Sequence, residues 1–135
     1  MTGRGRLAVA ALVLLALLGV VVLLVFAGNA CPADTAAQPC PDAAVNRAGV
    51  VILAAGTTAA AVIPFALLAE FAVRRRIVYR GAWARATRRG LLVAAGIAAL
   101  AGLRLGGALS VLAALFVVTL GAVVEWFAVR RFDLP

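Results

Sequence analysis

Glu70 and Glu125 are the residues of this 135-residue chain whose type and position most directly suggest chemistry. Each lies near the end of a long apolar run, and a charge buried in lipid costs about 3 kcal/mol or more. Such carboxylates can bind a proton or a cation, so both are candidate intramembrane ion sites. The alternative is structural pairing. Glu70 precedes Arg74 by one helical turn, which suits an ion pair. Glu125 is close to Arg130 and to the basic segment 74–89.

Cys31 and Cys40 form a second pair with chemical potential. They close a ten-residue loop that contains several prolines, and we predict a structural disulfide that stabilises the fold by about 2–3 kcal/mol on the chain-entropy model. A redox-active or metal-binding pair is the alternative. The spacing is not the C-x-x-C of thioredoxin-like proteins, and two thiolates alone are too few for a zinc site.

The residues that usually serve catalysis and metal binding are scarce. The chain has no histidine, and its one methionine is Met1. The commonest ligands of haem, zinc and copper are therefore missing. No nucleophile elbow, zinc-protease motif or phosphate-binding glycine loop is found. We therefore expect no enzyme activity, no cofactor and no metal.

The composition indicates a membrane protein. Hydrophobic residues make up 66% of the chain and charged residues 13%, against about 45–50% and about 25% in soluble domains. The net charge is +8, and all the basic residues are arginine. We do not expect nucleic acid binding, because the arginines sit in short segments between apolar runs, where topology signals lie. The absence of lysine is typical of a GC-rich genome, and we expect a bacterial or archaeal cell membrane.

Four apolar runs predict an all-α fold, a single integral membrane bundle of four transmembrane helices. The 21 residues of the first run would span about 30 Å as a helix, the thickness of a hydrocarbon core. One helix over 90–129 would be about 60 Å long, so we predict two helices joined by a turn at Gly106–Gly107. The predicted helices are 7–27, 48–73, 90–105 and 108–129, with an outer loop over 28–46 and a basic loop over 74–89.

The distribution of arginine predicts the orientation. Eleven arginines lie at the two termini and in the basic loop, and only Arg47 and Arg104 lie on the other side. The positive-inside rule then places both termini and the basic loop in the cytoplasm. A signal peptide cleaved after Ala30 is an alternative for the first run, although a signal has an apolar region of only about 7–15 residues.

The basic loop is a candidate contact surface. Its arginines, with Trp83 among them, favour an interfacial segment that attracts anionic lipid headgroups. Docking to an acidic partner is the alternative. The predicted contact residues are Arg74, Arg75, Arg76, Arg80, Trp83, Arg85, Arg88 and Arg89.

A short repeat raises the alternative of two parallel helical hairpins. "FAVRR" occurs at 71–75 and at 127–131, each time shortly after a glutamate. Low-complexity sequence with topology arginines explains the same pattern. Small residues also recur four apart, as in Gly102-x-x-x-Gly106, and this spacing favours close helix packing within a bundle or an oligomer.

These observations favour a non-catalytic membrane protein, an accessory or assembly subunit of a larger complex. Its expected partners are membrane lipids and other membrane subunits or further copies of itself. The alternative is a small oligomeric transporter or channel that uses Glu70 and Glu125. A transporter is expected to have polar groups near the membrane midplane, where this sequence offers little beyond Thr57 and Thr58.

Overall fold

The computed structural model describes residues 3–31, 33–73 and 81–132, and the chain is helical through most of these ranges. Each helix is long and apolar enough to cross a membrane. By length and composition the chain is thus a multi-pass membrane protein, and the predicted all-α fold of four transmembrane helices is confirmed. The helices are α1 (Gly3–Asn29), α2 (Ala43–Val73), α3 (Ala82–Leu105) and α4 (Val111–Phe132).

The predicted boundary of the third helix is wrong. The prediction placed residues 82–89 in the basic loop, but they form the first two turns of α3. The prediction assigned these residues to a loop because of their arginines, but arginine and alanine are good helix formers whether or not they lie in lipid. The break comes at Gly81, whose φ of 84° lies in the left-handed region that glycine adopts most easily. Arg74, Arg75, Arg76 and Arg80 lie outside the described residues.

The interface between α2 and α3 is the most extensive in the bundle. The face of α3 towards α2 is a stripe of small buried residues at four-residue spacing. Leu67 of α2 packs against Ala82 and Ala86 of this stripe. Leu67 and Pro64 are the largest fully buried side chains of the described chain. At Gly90 a Cβ would collide with the side chain of Ile63, so this close approach requires glycine. The small buried residues of α3 are Ala82, Ala86, Gly90 and Ala94.

Helix α1 packs against α2 through a second glycine contact. A Cβ at Gly19 would collide with the Thr57 side chain. Gly102 makes no close helix contact within the described chain, because an added Cβ there would have no atom within 4 Å, and its alternative role in an oligomer stays a prediction.

The Gly106–Gly107 pair predicted a turn between α3 and α4, and the turn observed there is a Schellman motif. The N–H of Ala108 donates to the carbonyl of Leu103 (2.8 Å), and the N–H of Gly107 donates to that of Arg104 (3.1 Å). Gly107 has a φ of 73°. Ser110 then caps α4, since its hydroxyl accepts a hydrogen bond from the N–H of Ala113 (3.1 Å).

The helices pack in chain order. Helix α2 contacts α1 and α3, whereas α4 contacts α3 only, and no other pair of helices approaches closely in the described chain. None of residues 111–131, the part of α4 whose burial is described, is fully buried. The bundle is therefore open on one side. The alternative of two parallel helical hairpins, which the FAVRR repeat raised, stays a prediction.

The loop between α1 and α2 contains the predicted disulfide. Cys31 and Cys40 are bonded, with their Cα atoms 6.3 Å apart. The N–H of Cys40 donates to Oδ1 of Asp34 (2.8 Å), and Nδ2 of Asn46, in the first turn of α2, donates to the carbonyl of Cys31 (3.2 Å). Cys40 is buried under these contacts. The disulfide thus ties the end of α1 to the start of α2.

We expect Cys31→Ser to lower the free energy of unfolding by about 2–3 kcal/mol, since the loop it opens has ten residues. Unfolding in mixed detergent micelles measures the change, with Asp34→Asn as a loop substitution that keeps the disulfide. Two thiols that react with an alkylating reagent in the unreduced wild-type protein would contradict the disulfide.

Candidate functional site at the basic end of the bundle

All the charged residues of the described helices except Arg47 and Arg104 lie at one end of the bundle, called here the basic end. The start of α1, the end of α2, the start of α3 and the end of α4 meet there, because consecutive helices run in opposite directions. The opposite end holds the disulfide loop and the turn between α3 and α4. The charged residues described at the basic end are Arg4, Arg6, Glu70, Arg85, Arg88, Arg89, Glu125, Arg130 and Arg131.

Glu70 of α2 pairs with Arg85 of α3. Nε of Arg85 donates to Oε1 of Glu70 over 2.6 Å, and Nη2 lies 2.6 Å from the same oxygen. The side chain of Glu70 is only 11% exposed and that of Arg85 only 16%. Hydrogen bonds between ionised groups are among the strongest in proteins, so this pair ties the ends of α2 and α3 together. The pairing was predicted within α2, with Arg74, which lies outside the described residues.

Glu125 of α4 pairs with two arginines of α3. Its Oε1 accepts from Nε of Arg89 (3.0 Å) and from Nη2 of Arg88 (3.4 Å). This agrees with the predicted alternative of pairing with segment 74–89. Together with the Schellman turn, the cluster holds α4 to α3 at both ends of the hairpin.

Both glutamates keep one oxygen without a hydrogen bond. Oε2 of Glu70 and Oε2 of Glu125 are buried and have no donor among the described residues. A buried oxygen without a donor costs about 1–3 kcal/mol. These two atoms are therefore places at the basic end where a further hydrogen-bond donor would be stabilising.

Aromatic residues accompany the charges. The guanidinium of Arg130 lies 4.2 Å from the ring centroid of Trp126, a cation–π contact. Trp83, in the first turn of α3, is 37% exposed. Tryptophan is enriched at membrane–water interfaces, so both rings agree with an interface at this level of the bundle.

The apolar part of the bundle offers few polar groups. Thr58 and Thr119 each donate to the carbonyl four residues earlier in their own helix, both over 2.7 Å. Thr57 packs against Gly19. The hydroxyls of Thr58 and Thr119 are thus hydrogen-bonded within their own helices. Within the described ranges no three His, Cys, Asp or Glu side chains form a group that could hold a metal.

An apolar groove of about 910 Å³ runs from the basic end between α2 and α4, with α3 as its floor. Arg89 and Glu125 lie at its charged mouth, and Leu100 is the lining residue of α3 furthest from them. The walls contain small residues, Gly96 on α3 and Gly121 on α4. The groove was not predicted, because its existence depends on how far α4 stands from α2.

A smaller cavity of about 540 Å³ lies at the opposite end, where Arg47 and Arg104 both line it. Nη1 of Arg47 also donates to the carbonyl of Leu105 at the end of α3 (3.5 Å). This contact joins the disulfide loop region to the turn after α3. Arg104 is exposed in the last turn of α3, as expected for a long side chain that extends its charge towards the membrane surface.

The chemistry available at the basic end is that of ion pairing and anion attraction. Guanidinium groups bind phosphate and carboxylate well, and the carboxylates can bind a cation.

No family model matches the sequence, and neither a curated protein nor a solved structure matches the chain.

The two ion pairs should differ in strength. We expect Glu70→Gln to lower the free energy of unfolding by about 3 kcal/mol, because it leaves a mostly buried arginine without its counter-ion. Glu125→Gln should cost about 1 kcal/mol or less, because Glu125 is 27% exposed and the closer of its two partners, Arg89, is 44% exposed. Unfolding in mixed micelles measures both.

A charge-swapped double variant, Glu70→Arg with Arg85→Glu, provides the control and should recover part of the loss. Equal stability of Glu70→Gln and the wild type would show that the pair does not hold α2 to α3.

Proposed function

We propose that the chain is a non-catalytic subunit of a larger membrane complex and that it binds its partner through α4. The observation that carries this proposal is the weak attachment of α4: among the described helices it contacts only α3, and none of its residues 111–131 is fully buried. Helices in membranes associate through packing contacts, because lipid supplies no hydrophobic driving force. A helix with one neighbour has most of its surface left for a partner.

The outer face of α4 suits such a contact. Large apolar residues recur there at spacings of three and four, which places them on one side of the helix. They include Leu112, Phe116 and Phe127, which are 82%, 67% and 61% exposed. This side faces away from the groove, whose α4 wall contains Gly121 and Ala122. The residues of the outer face are Leu112, Phe116, Leu120, Val123 and Phe127.

The remaining parts of the chain also support a role without catalysis. The two connections at the disulfide end hold no domain of their own, and both glutamates of the basic end are engaged in pairing helices. A partner for α4 would be a transmembrane helix with small residues that receive the large side chains of the outer face.

Substitutions on the outer face test this proposal. We expect Phe116→Ala with Phe127→Ala to lower the yield of co-purifying membrane protein at least fivefold, because two central packing contacts are lost. The matched control is Leu14→Ala with Leu17→Ala on α1, where both leucines are also well exposed (66% and 61%). A photoreactive amino acid at Leu120, which lies on the same face, should cross-link to the same partner.

Loss of the partner in the α1 control as well, or retention of the partner in the α4 variant, would contradict docking through α4.

The alternative function is a small oligomeric transporter or channel. The carboxylate oxygens of Glu70 and Glu125 that have no donor among the described residues favour it. Proton or cation flux through the purified wild-type chain in liposomes, lost in Glu70→Gln with Glu125→Gln, would replace the subunit proposal. Unchanged flux in that double variant would exclude the two glutamates as ion sites.

We also propose that the basic end faces the cytoplasm, on the strength of the eleven arginines assigned to that side. A reporter that is active only in the cytoplasm should then be active when fused after Pro135 and inactive when inserted at Gln38 in the disulfide loop. The opposite pattern would reverse the orientation of all four helices.

A further inference from the structure

We propose that the groove between α2 and α4 binds one anionic phospholipid, with its phosphate at Arg89 and its acyl chains along α3. The proposal does not depend on the docking of α4 to a partner, because the groove and the outer face lie on opposite sides of that helix. It rests on the length of the groove, its lining and the charge at its mouth.

The length of the groove matches one leaflet. Along α3 it extends from Arg89 to Leu100, which is about 17 Å at the rise of an α-helix. Half of a hydrocarbon core is about 15 Å. A partner helix that crossed the membrane would need a surface about twice as long, so the length favours a lipid over a helix.

The lining suits flexible hydrocarbon chains. Between the charged mouth and Leu100 all lining residues are apolar. Gly96 and Gly121 line the groove and leave open space there, since a Cβ added at either would meet no atom within 4 Å. The volume of about 910 Å³ falls at the upper end of the range for ligand pockets, about 300–1,000 Å³.

The mouth of the groove is complementary to an anionic headgroup. Arg89 lines the mouth and stays 44% exposed while its Nε binds Glu125. The whole end carries a strong excess of arginine over acidic residues, so its field attracts anions. A guanidinium beside an apolar channel offers a phosphate a charge-assisted hydrogen bond where the acyl chains enter. A neutral headgroup would gain much less from this field.

Filling the groove tests the proposal. The wild-type chain, purified in mild detergent, is titrated with phosphatidylglycerol or with phosphatidylcholine, and bound lipid is counted by native mass spectrometry. We expect one tightly held phosphatidylglycerol per chain and at least tenfold weaker retention of phosphatidylcholine. Gly96→Leu with Gly121→Leu should lower phosphatidylglycerol retention at least tenfold, because the new side chains occupy the channel.

Two further variants separate the contributions. Gly56→Leu with Gly102→Leu is the matched control, because both positions also have open space but lie outside the groove, and it should retain the lipid. Arg89→Gln should lower phosphatidylglycerol retention to the level of phosphatidylcholine.

Several results would overturn the proposal. One is equal retention of the two lipids by the wild type, which requires no variant to fold. Another is unchanged retention in the filled variant. A third is a dimer of the wild-type chain that binds no lipid and that the filled variant fails to form, which would assign the groove to a second copy of the chain.

Discussion

The close approach of α2 and α3 is the contact on which the rest of this bundle depends. The small stripe of α3 lets Leu67 of α2 become fully buried, and no other helix pair in the described chain forms a comparable core. In a membrane such closeness is the main source of attraction between helices, because dispersion contacts grow as backbones approach. The Glu70–Arg85 pair at the end of this interface adds a directional contact and sets how α2 and α3 are aligned. Helices α1 and α4 are then arranged around this central pair.

The sequence was sufficient for the features that depend on local composition. Apolar runs long enough to cross a bilayer predicted the four helices, and paired glycines predicted the turn before α4. Pairing partners were harder, because they depend on distance in space. Glu70 has arginines nearby in the chain, and sequence spacing favoured Arg74, but the partner described is Arg85 on the next helix. A better signal was present in the spacing of Arg85, Arg88 and Arg89, which places three arginines within just over one turn of a helix.

The start of α3 and the groove show why the remaining features could not be read from the sequence. The change from charged to apolar residues at 90 marks where the chain becomes lipid-like, whereas the helix begins at a glycine with a left-handed backbone. Gly90 and Gly102 look alike in the sequence, yet one lies against Ile63 and the other has open space. Which glycine mediates packing depends on the rotation of each helix about its axis, and a short motif does not contain that information.

The arginines of α3 also bear on how the protein is made. Helix α3 is the least apolar of the four, and each arginine placed in hydrocarbon opposes insertion by up to about 3 kcal/mol. Its counter-charges, Glu70 and Glu125, are on the helices before and after it. Since only five residues join α3 to α4, translation delivers α4 to the insertion machinery almost together with α3. Biogenesis therefore favours the entry of α3 and α4 as one hairpin beside α2 already in place, so a chain truncated within α4 would leave α3 poorly anchored during synthesis.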